Sequence, residues 1–407
     1  MSRPDSAAIA SHWEPQDMDW ILECSGCSRA GDPAGLPTVC PNCGQPWLVR
    51  YPGRRHPLDA REPGGAPARS SRKQAPSHGM WRYQLFLPVV PNEAPITLGE
   101  GNTPLLDVPR SARELGLGQV WLKDESLNPT GSFKARGLAM AVTRAVAAGA
   151  GRFVIPTAGN AGVALAAYAA RAGRQATVFA PSSTPRTILS QIEVFGGDLR
   201  LIEGHIGDCG RAARELSAQT GAFDVSTLRE PYRIEGKKTL GLEIAEQLGW
   251  TMPDAIVYPA GGGTGLIGMW LAFQQLLAAG WVTGKPPRLF AVQSAGCAPV
   301  VRAVEAAAER CEPWTDPWTI ASGLRVPNPL GGPLMLRAIR ETGGGAVAVR
   351  DEELAEQARI GSRREGVDLS PEGGATLAGA ARLRARGSLG PNDRVVLFNT
   401  GAGWLYR

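Results

Sequence analysis

Histidine is scarce in this chain. Of its 407 residues only His12, His56, His78 and His205 are histidines, and none falls where a buried strand reads as ending. Hydrolysis through a histidine base therefore has no candidate. No apolar stretch reaches the roughly 18 residues that a membrane span needs, and the first twenty residues hold no apolar core of a secretory leader. The expectation is a cytoplasmic protein with no membrane partner. Long runs of one charge are missing too: 43 Lys and Arg face 38 Asp and Glu, and the formal net charge of +5 is spread thinly. That pattern gives no footprint for nucleic acid, although small anionic substrates would be welcome. With 43% hydrophobic and 20% charged residues the composition is that of an ordinary globular chain with room for two or three domains.

Cysteine is also sparse, but four of the seven are grouped. Cys24-Ser-Gly-Cys27 is followed after a short loop by Cys40-Pro-Asn-Cys43. Each Cys-X2-Cys knuckle can point two thiolates at one tetrahedral ion, so the segment reads as a structural zinc ribbon over residues 24–43. Two disulfides, or a ribbon without metal, are the other readings. Four protein ligands leave a zinc ion no open position, so its task would be structural. Cys209, Cys297 and Cys311 have no such spacing and read as ordinary thiols.

Three glycine-bearing turns carry the remaining signal. In Asn128-Pro-Thr-Gly-Ser-Phe-Lys-Ala-Arg-Gly137 a Pro/Thr/Gly/Ser turn opens a helix directly at Lys134. A solvated lysine amine, with a pKa near ~10.4, is a poor nucleophile at neutral pH, and the positive end of a helix is one means of activating it. Thr157-Ala-Gly-Asn-Ala-Gly162 follows the apolar run Phe153-Val-Ile-Pro and precedes an Ala-rich helix. Ala255-Ile-Val-Tyr-Pro-Ala260 runs into Gly261-Gly-Gly-Thr-Gly265 and then an apolar helix. Side-chain-free residues at a helix start form a phosphate cradle. The turn lacks both the Lys-Ser/Thr of a P-loop and the glycine spacing of a dinucleotide site, which favours a compact phosphate monoester. Pyridoxal 5'-phosphate needs a lysine for its aldehyde, a cradle for its phosphate and a polar partner for its ring nitrogen. Thr400, at the end of the buried run Val395-Val-Leu-Phe, supplies the last of these.

Taken in order, Gly101-Asn-Thr-Pro-Leu105, Lys123-Asp-Glu125, the lysine segment, the asparagine loop, the glycine cradle and the terminal Thr400-Gly-Ala-Gly403 resemble the threonine synthase family over roughly residues 95 to 407. The resemblance implies a type II pyridoxal-phosphate fold, like the tryptophan synthase β chain, with two parallel-sheet subdomains. Alternation of strand-like and Ala/Leu-rich runs agrees with an α/β class. The expected organisation is an N-terminal segment over 1–51, a Pro/Gly/Arg/Ser-rich linker over 52–84 and a catalytic domain over 85–407, with a smaller mobile subdomain at about 136–232 inserted in the larger one. A homodimer is implied as well.

The resemblance also implies roles. Lys134 would be the Schiff-base residue and then the proton carrier, and Phe133 either lies near the cofactor or is plain core. Asn160 would bond the cofactor's 3-hydroxyl, with a simple helix cap as the other reading. Backbone donors of Thr157, Ala158, Gly159 and Ala161 suit a substrate carboxylate. Gly261, Gly262, Gly263, Thr264 and Gly265 would carry the cofactor phosphate. Arg233, in Tyr232-Arg-Ile-Glu-Gly-Lys-Lys-Thr239, is either the substrate-phosphate ligand or a surface salt bridge. Lys237 and Lys238 in the same stretch stand behind Arg233 as candidates, and Glu125 and Ser132 lie near the site without an assigned role. The implied activity is that of a carbon–oxygen lyase acting on phosphates: O-phospho-L-homoserine and water become L-threonine and phosphate. Ala135, Ala161 and Leu228 depart from the family pattern, Ala135 where Asp is usual and the other two where hydroxyls often lie near the substrate phosphate. They leave a second reading, a serine/threonine ammonia-lyase or a cysteate-synthase-like β-replacement enzyme.

Overall fold

A computed structural model describes residues 18–52, 78–90 and 93–407; most of the expected linker, together with His12 and His56, lies outside them. The first strands, β1 (Ile21–Cys24), β2 (Ala30–Gly31) and β3 (Trp47–Arg50), form an antiparallel sheet in the order β2-β1-β3. It is not a detached appendage. Trp20, Leu22, Cys24, Cys40, Trp47 and Val49 share one apolar core with the helices that follow.

Next come β4 (Leu105–Asp107), α1 (Pro109–Leu115), β5 (Gln119–Asp124) and α2 (Lys134–Ala147). The chain then builds β6 (Arg152–Pro156), α3 (Asn160–Arg171), β7 (Gln175–Pro181), α4 (Arg186–Val194), β8 (Asp198–Ile202), α5 (Ile206–Thr220), β9 (Phe223–Asp224) and α6 (Tyr232–Gln247). It continues through β10 (Ala255–Pro259), α7 (Thr264–Ala278), β11 (Arg288–Ser294), α8 (Pro299–Glu305), α9 (Gly332–Glu341), β12 (Gly345–Val349), α10 (Asp351–Glu365), α11 (Pro371–Ala385) and β13 (Arg394–Asn399). One sheet has the order β8-β7-β6-β9 and is parallel throughout. The larger has the order β12-β11-β10-β13-β5-β4, parallel except for the edge pair β4–β5.

The strand sequences explain this arrangement. β10 and all of β13 after Arg394 are buried, as unbroken apolar runs must be when helices cover both faces of a parallel sheet. Three strands of these sheets are not marked by an apolar run in the sequence: the edge strand β4 and the two-residue β9 are too short, and Gly345-Ala-Val-Ala-Val349 of β12 is too small in its side chains, to stand out.

Helices α2, α6 and α7 pack together between the sheets. A Cβ at Gly236 would stand 2.1 Å from the Arg136 carbonyl oxygen, so a side chain there would force α6 off α2. Behind this contact is a sealed charge cluster. Arg136 Nε bonds Glu125 Oε2 at 2.7 Å and its Nη2 bonds Glu243 Oε1 at 2.9 Å, while Lys123 Nζ meets Glu243 at 2.7 Å; all four side chains have 0% exposure. Burial works against the charged form of Glu125, but the Arg136 guanidinium outweighs it and holds the carboxyl below its usual range. Glu125 thus anchors the helix that begins at Lys134. Replacing Arg136 by Met is expected to cost about 3–5 kcal/mol, because carboxylates sealed from water lose their partner. Urea unfolding of the cofactor-free protein measures this.

Candidate active site

Lys134 is the first residue of α2, with Phe133 at the cap position. The preceding turn is tight: Thr130 has φ 65° and Gly131 φ 70°. The terminal loop zips onto it. Phe133 N donates to the Thr400 carbonyl at 3.0 Å, Ala402 N donates to the Gly131 carbonyl at 2.9 Å, and Ser132 pairs with Gly401. Residues far apart in sequence, Lys134 and Thr400, thereby enter one chamber. Among the described residues no hydrogen bond ties the Lys134 amine, which stands 4.6 Å from the centroid of the Phe133 ring. Burial pushes its pKa down to about 7, with the Arg233 guanidinium adding to the effect and Glu372 opposing it.

Asn160 opens α3, but its side chain caps nothing. The cap residue is Gly159, Asn160 Nδ2 donates to Tyr406 Oη at 3.3 Å, and Asn160 Oδ1 is buried with no partner among the described residues. Thr157 Oγ1 and Gly159 fold on one another at 3.1 Å, shaping the loop that also holds Ala158 and Ala161. A buried amide oxygen left open costs about 1–3 kcal/mol unless a ligand donor meets it. Ser132 Oγ is buried and open in the same way.

The glycine cradle ends β10 and starts α7 at Thr264. Gly263 has φ 80°, and no backbone hydrogen bond among the described residues takes the N–H of Gly262 or Gly263. A Cβ at Gly265 would lie 2.0 Å from Tyr258 Oη. These donors stand at the positive end of a 15-residue helix, the arrangement that binds phosphate. An activated amine, a phosphate cradle, an open amide at Asn160 and the Thr400 hydroxyl together fit pyridoxal phosphate.

Arg233 is no surface residue. It is 1% exposed; its Nη1 donates to the Val225 carbonyl at 2.7 Å, while Nε and Nη2 are buried and have no partner among the described residues. Glu230, whose pKa burial raises to about 7, accepts from the backbone N–H of Tyr232 and Arg233 and so caps α6. Leu228, 1% exposed, and Ala161 offer no side-chain donor. Lys238 pairs with Glu235 at 2.5 Å and donates to Tyr51 Oη at 3.1 Å, facing the N-terminal module.

Sequence reasoning missed two neighbours of the site. Glu372 is buried and accepts from Gly323 N at 2.8 Å, beside the cradle, where a Cβ at Gly261 would touch the Gly323 carbonyl. Tyr406, beside Asn160, also faces Glu372. Ser370-Pro-Glu reads simply as a capped helix start, and the Ser370 cap is indeed made; nothing in it marks Glu372.

The four grouped thiols have their sulfur atoms within 4.8 Å of one another, and none is in a disulfide. Cys24 and Cys40 are buried, Cys27 and Cys43 exposed. That is a donor set compatible with tetrahedral zinc. No described helix is long and apolar enough to cross a membrane.

The family model for pyridoxal-phosphate dependent enzymes matches residues 96–401. A threonine synthase of Methanocaldococcus jannaschii is 33% identical over 326 residues, covering 80% of this chain and 80% of its own. One of Mycobacterium leprae is 34% identical over 339 residues, covering 82% and 91%. Among solved structures, maize serine racemase superposes with a TM-score of 0.66 at 21% identity, over 74% of this chain and 88% of its own. An L-serine ammonia-lyase from Rhizomucor miehei superposes at 0.63 with 26% identity, over 74% and 93%.

Proposed function

The chain belongs to the pyridoxal-phosphate-dependent enzyme family, on its threonine synthase branch, and on that footing we propose that it converts O-phospho-L-homoserine and water into L-threonine and phosphate. The observation that carries this reading is Arg233, a buried guanidinium in the Lys134 chamber with two donor nitrogens open. Guanidinium forks match phosphate oxygens, and this one can replace donors that Ala161 and Leu228 do not supply.

The cofactor, when bound, supplies an electron sink for negative charge at the substrate's Cα. We assign Lys134, Phe133, Asn160, Gly261 to Gly265 and Thr400 to hold it. The other tasks belong to the chain. Lys134 removes the proton at Cα and then one at Cβ; phosphate leaves Cγ with its bonding pair, Cγ gains a proton, and water adds its hydroxyl at Cβ while Lys134 returns a proton to Cα. Arg233 holds the phosphate as its charge develops. Thr157, Ala158, Gly159 and Ala161 present backbone donors to the substrate carboxylate at the start of α3. We take residues 85–407 as the catalytic domain, in which movement of about 136–232 would exclude water from the reacting carbons. We also expect a homodimer in the cytoplasm; light scattering on the purified protein tests the first.

Phosphate and threonine released in equal amounts from O-phospho-L-homoserine by the cofactor-loaded protein would establish the reaction. Keto-acid formation from threonine or serine without phosphate release would transfer the assignment to an ammonia-lyase.

We assign the cysteine cluster to structural zinc. Cys24→Ser is expected to lower bound zinc, measured by atomic emission, and stability by on the order of 3 kcal/mol, while kcat at saturating cofactor changes little. Loss of turnover in a folded, cofactor-saturated variant would contradict a purely structural task.

A further inference from the structure

The two residues assigned to the cofactor ring, Asn160 and Thr400, come from different sheets. Asn160 starts α3, which packs on the sheet β8-β7-β6-β9, while Thr400 follows β13 of the larger sheet. The short helical turn Gly403–Tyr406 ties one to the other. It is anchored by Asp368, between α10 and α11, whose carbonyl accepts from Gly403 N at 3.0 Å and whose Oδ2 accepts from Trp404 N at 2.9 Å. From the smaller sheet's side, Asn160 Nδ2 donates to Tyr406 Oη at 3.3 Å, and Thr187 Oγ1 of α4 donates to the Arg407 carbonyl at 3.0 Å. The two sides come this close because Gly401 has no side chain: a Cβ there would stand 3.2 Å from Asn160 Nδ2. One N–H of the Asn160 amide is thereby held, while Oδ1 is buried with no partner among the described residues.

We propose that Tyr406 is a positioning residue for the cofactor: it fixes the plane of the Asn160 amide and so leaves the open edge of that amide for the ring hydroxyl. An asparagine amide turns easily about its terminal torsion, and ordering a side chain at the moment of binding costs affinity. Tyr406 removes that cost beforehand. Burial first, then the charge of Glu372, push the Tyr406 hydroxyl well above its ordinary range, so it stays neutral, and Ser322 lies at the same hydroxyl. A neutral phenol can accept from the amide while its own hydrogen is left for Glu372. Because Gly401 to Tyr406 continue directly from Thr400, the same bond also sets Asn160 at one spacing from the other ring contact. This inference rests on the assignment of Asn160 to the cofactor, but not on the identity of the substrate.

Cofactor affinity tests it. The full-length protein, freed of cofactor, is titrated with pyridoxal phosphate by equilibrium dialysis as wild type, Tyr406→Phe, Asn160→Ala and the double variant. Neither substitution should endanger the fold, since Phe keeps the ring and Ala removes a buried amide whose oxygen has no partner among the described residues. Tyr406→Phe is expected to weaken binding about three- to tenfold, the worth of ordering one side chain. That loss should vanish when Asn160 is absent, so the double variant should bind within about twofold of Asn160→Ala. A merely structural hold on the terminal turn would act alike in both backgrounds. Equal losses with and without Asn160 therefore overturn the proposal, as does a Tyr406→Phe protein that binds like wild type. If Asn160→Ala itself binds like wild type, Asn160 leaves the cofactor site and the proposal falls with it. No product is measured, so a wrong substrate assignment leaves each of these outcomes intact.

Discussion

Lys134→Ala is expected to abolish the absorbance band that forms when the wild-type protein takes up pyridoxal phosphate, and to lower turnover by at least about a thousandfold. Covalent attachment and proton transfer depend on the same amine, so two contributions fall together. The loss should not come with unfolding: the charge cluster of Arg136, Glu125 and Glu243 behind the helix keeps every partner. An unchanged band would end the assignment. A pH series on wild type sharpens the test. Only the unprotonated amine attacks an aldehyde, and the Lys134 pKa is pushed down to about 7. Cofactor capture should rise about tenfold per unit below that value and flatten above it, whereas a solvated lysine would go on rising to ~10.4.

How much of this was legible in the sequence depends on how local each feature is. The cradle of Gly261 to Gly265 was legible because an apolar strand, a glycine turn and an apolar helix are consecutive, and β10 and α7 follow them directly. Lys134 was legible because its turn dictates the helix start. The four cysteines of the ribbon were legible as a spacing, but the packing of their segment against α2 and α6, through Trp20 stacked 4.8 Å from Arg144 and Tyr232 Oη on the Pro33 carbonyl at 3.1 Å, was not. Those contacts join parts of the chain more than about a hundred residues apart, and no local pattern encodes them. Glu125 shows the same limit. It stands out beside Lys123 in sequence, yet only the fold reveals that it is sealed against Arg136. Glu372 and Tyr406 reach the site through tertiary packing alone. Lys237 looked equivalent to its neighbour Lys238, but the helical turn between them sends one to Phe133 and the other to Glu235 and Tyr51.

Arg233→Lys should separate recognition of the phosphate from the rest of the chemistry. The guanidinium has one arm fixed by the Val225 carbonyl and two nitrogens open. A lysine there keeps the charge but loses the planar fork that meets two oxygens at once. The expected loss in kcat/KM for O-phospho-L-homoserine is about a hundredfold, or about 2.7 kcal/mol in transition-state binding. Arg233→Ala should lose more, because Glu230, raised to about 7 by burial, then keeps no guanidinium beside it. The discriminating measurement is a substrate without phosphate. If Arg233 binds the phosphate, slow keto-acid formation from L-threonine should change by no more than about threefold in Arg233→Lys, since that substrate never engaged the fork. An equal fall with both substrates would mean that Arg233 only holds α6 against the strand end at Val225. In that case the departures at Ala161 and Leu228 would stand without compensation, and a leaving group other than phosphate would become the stronger reading.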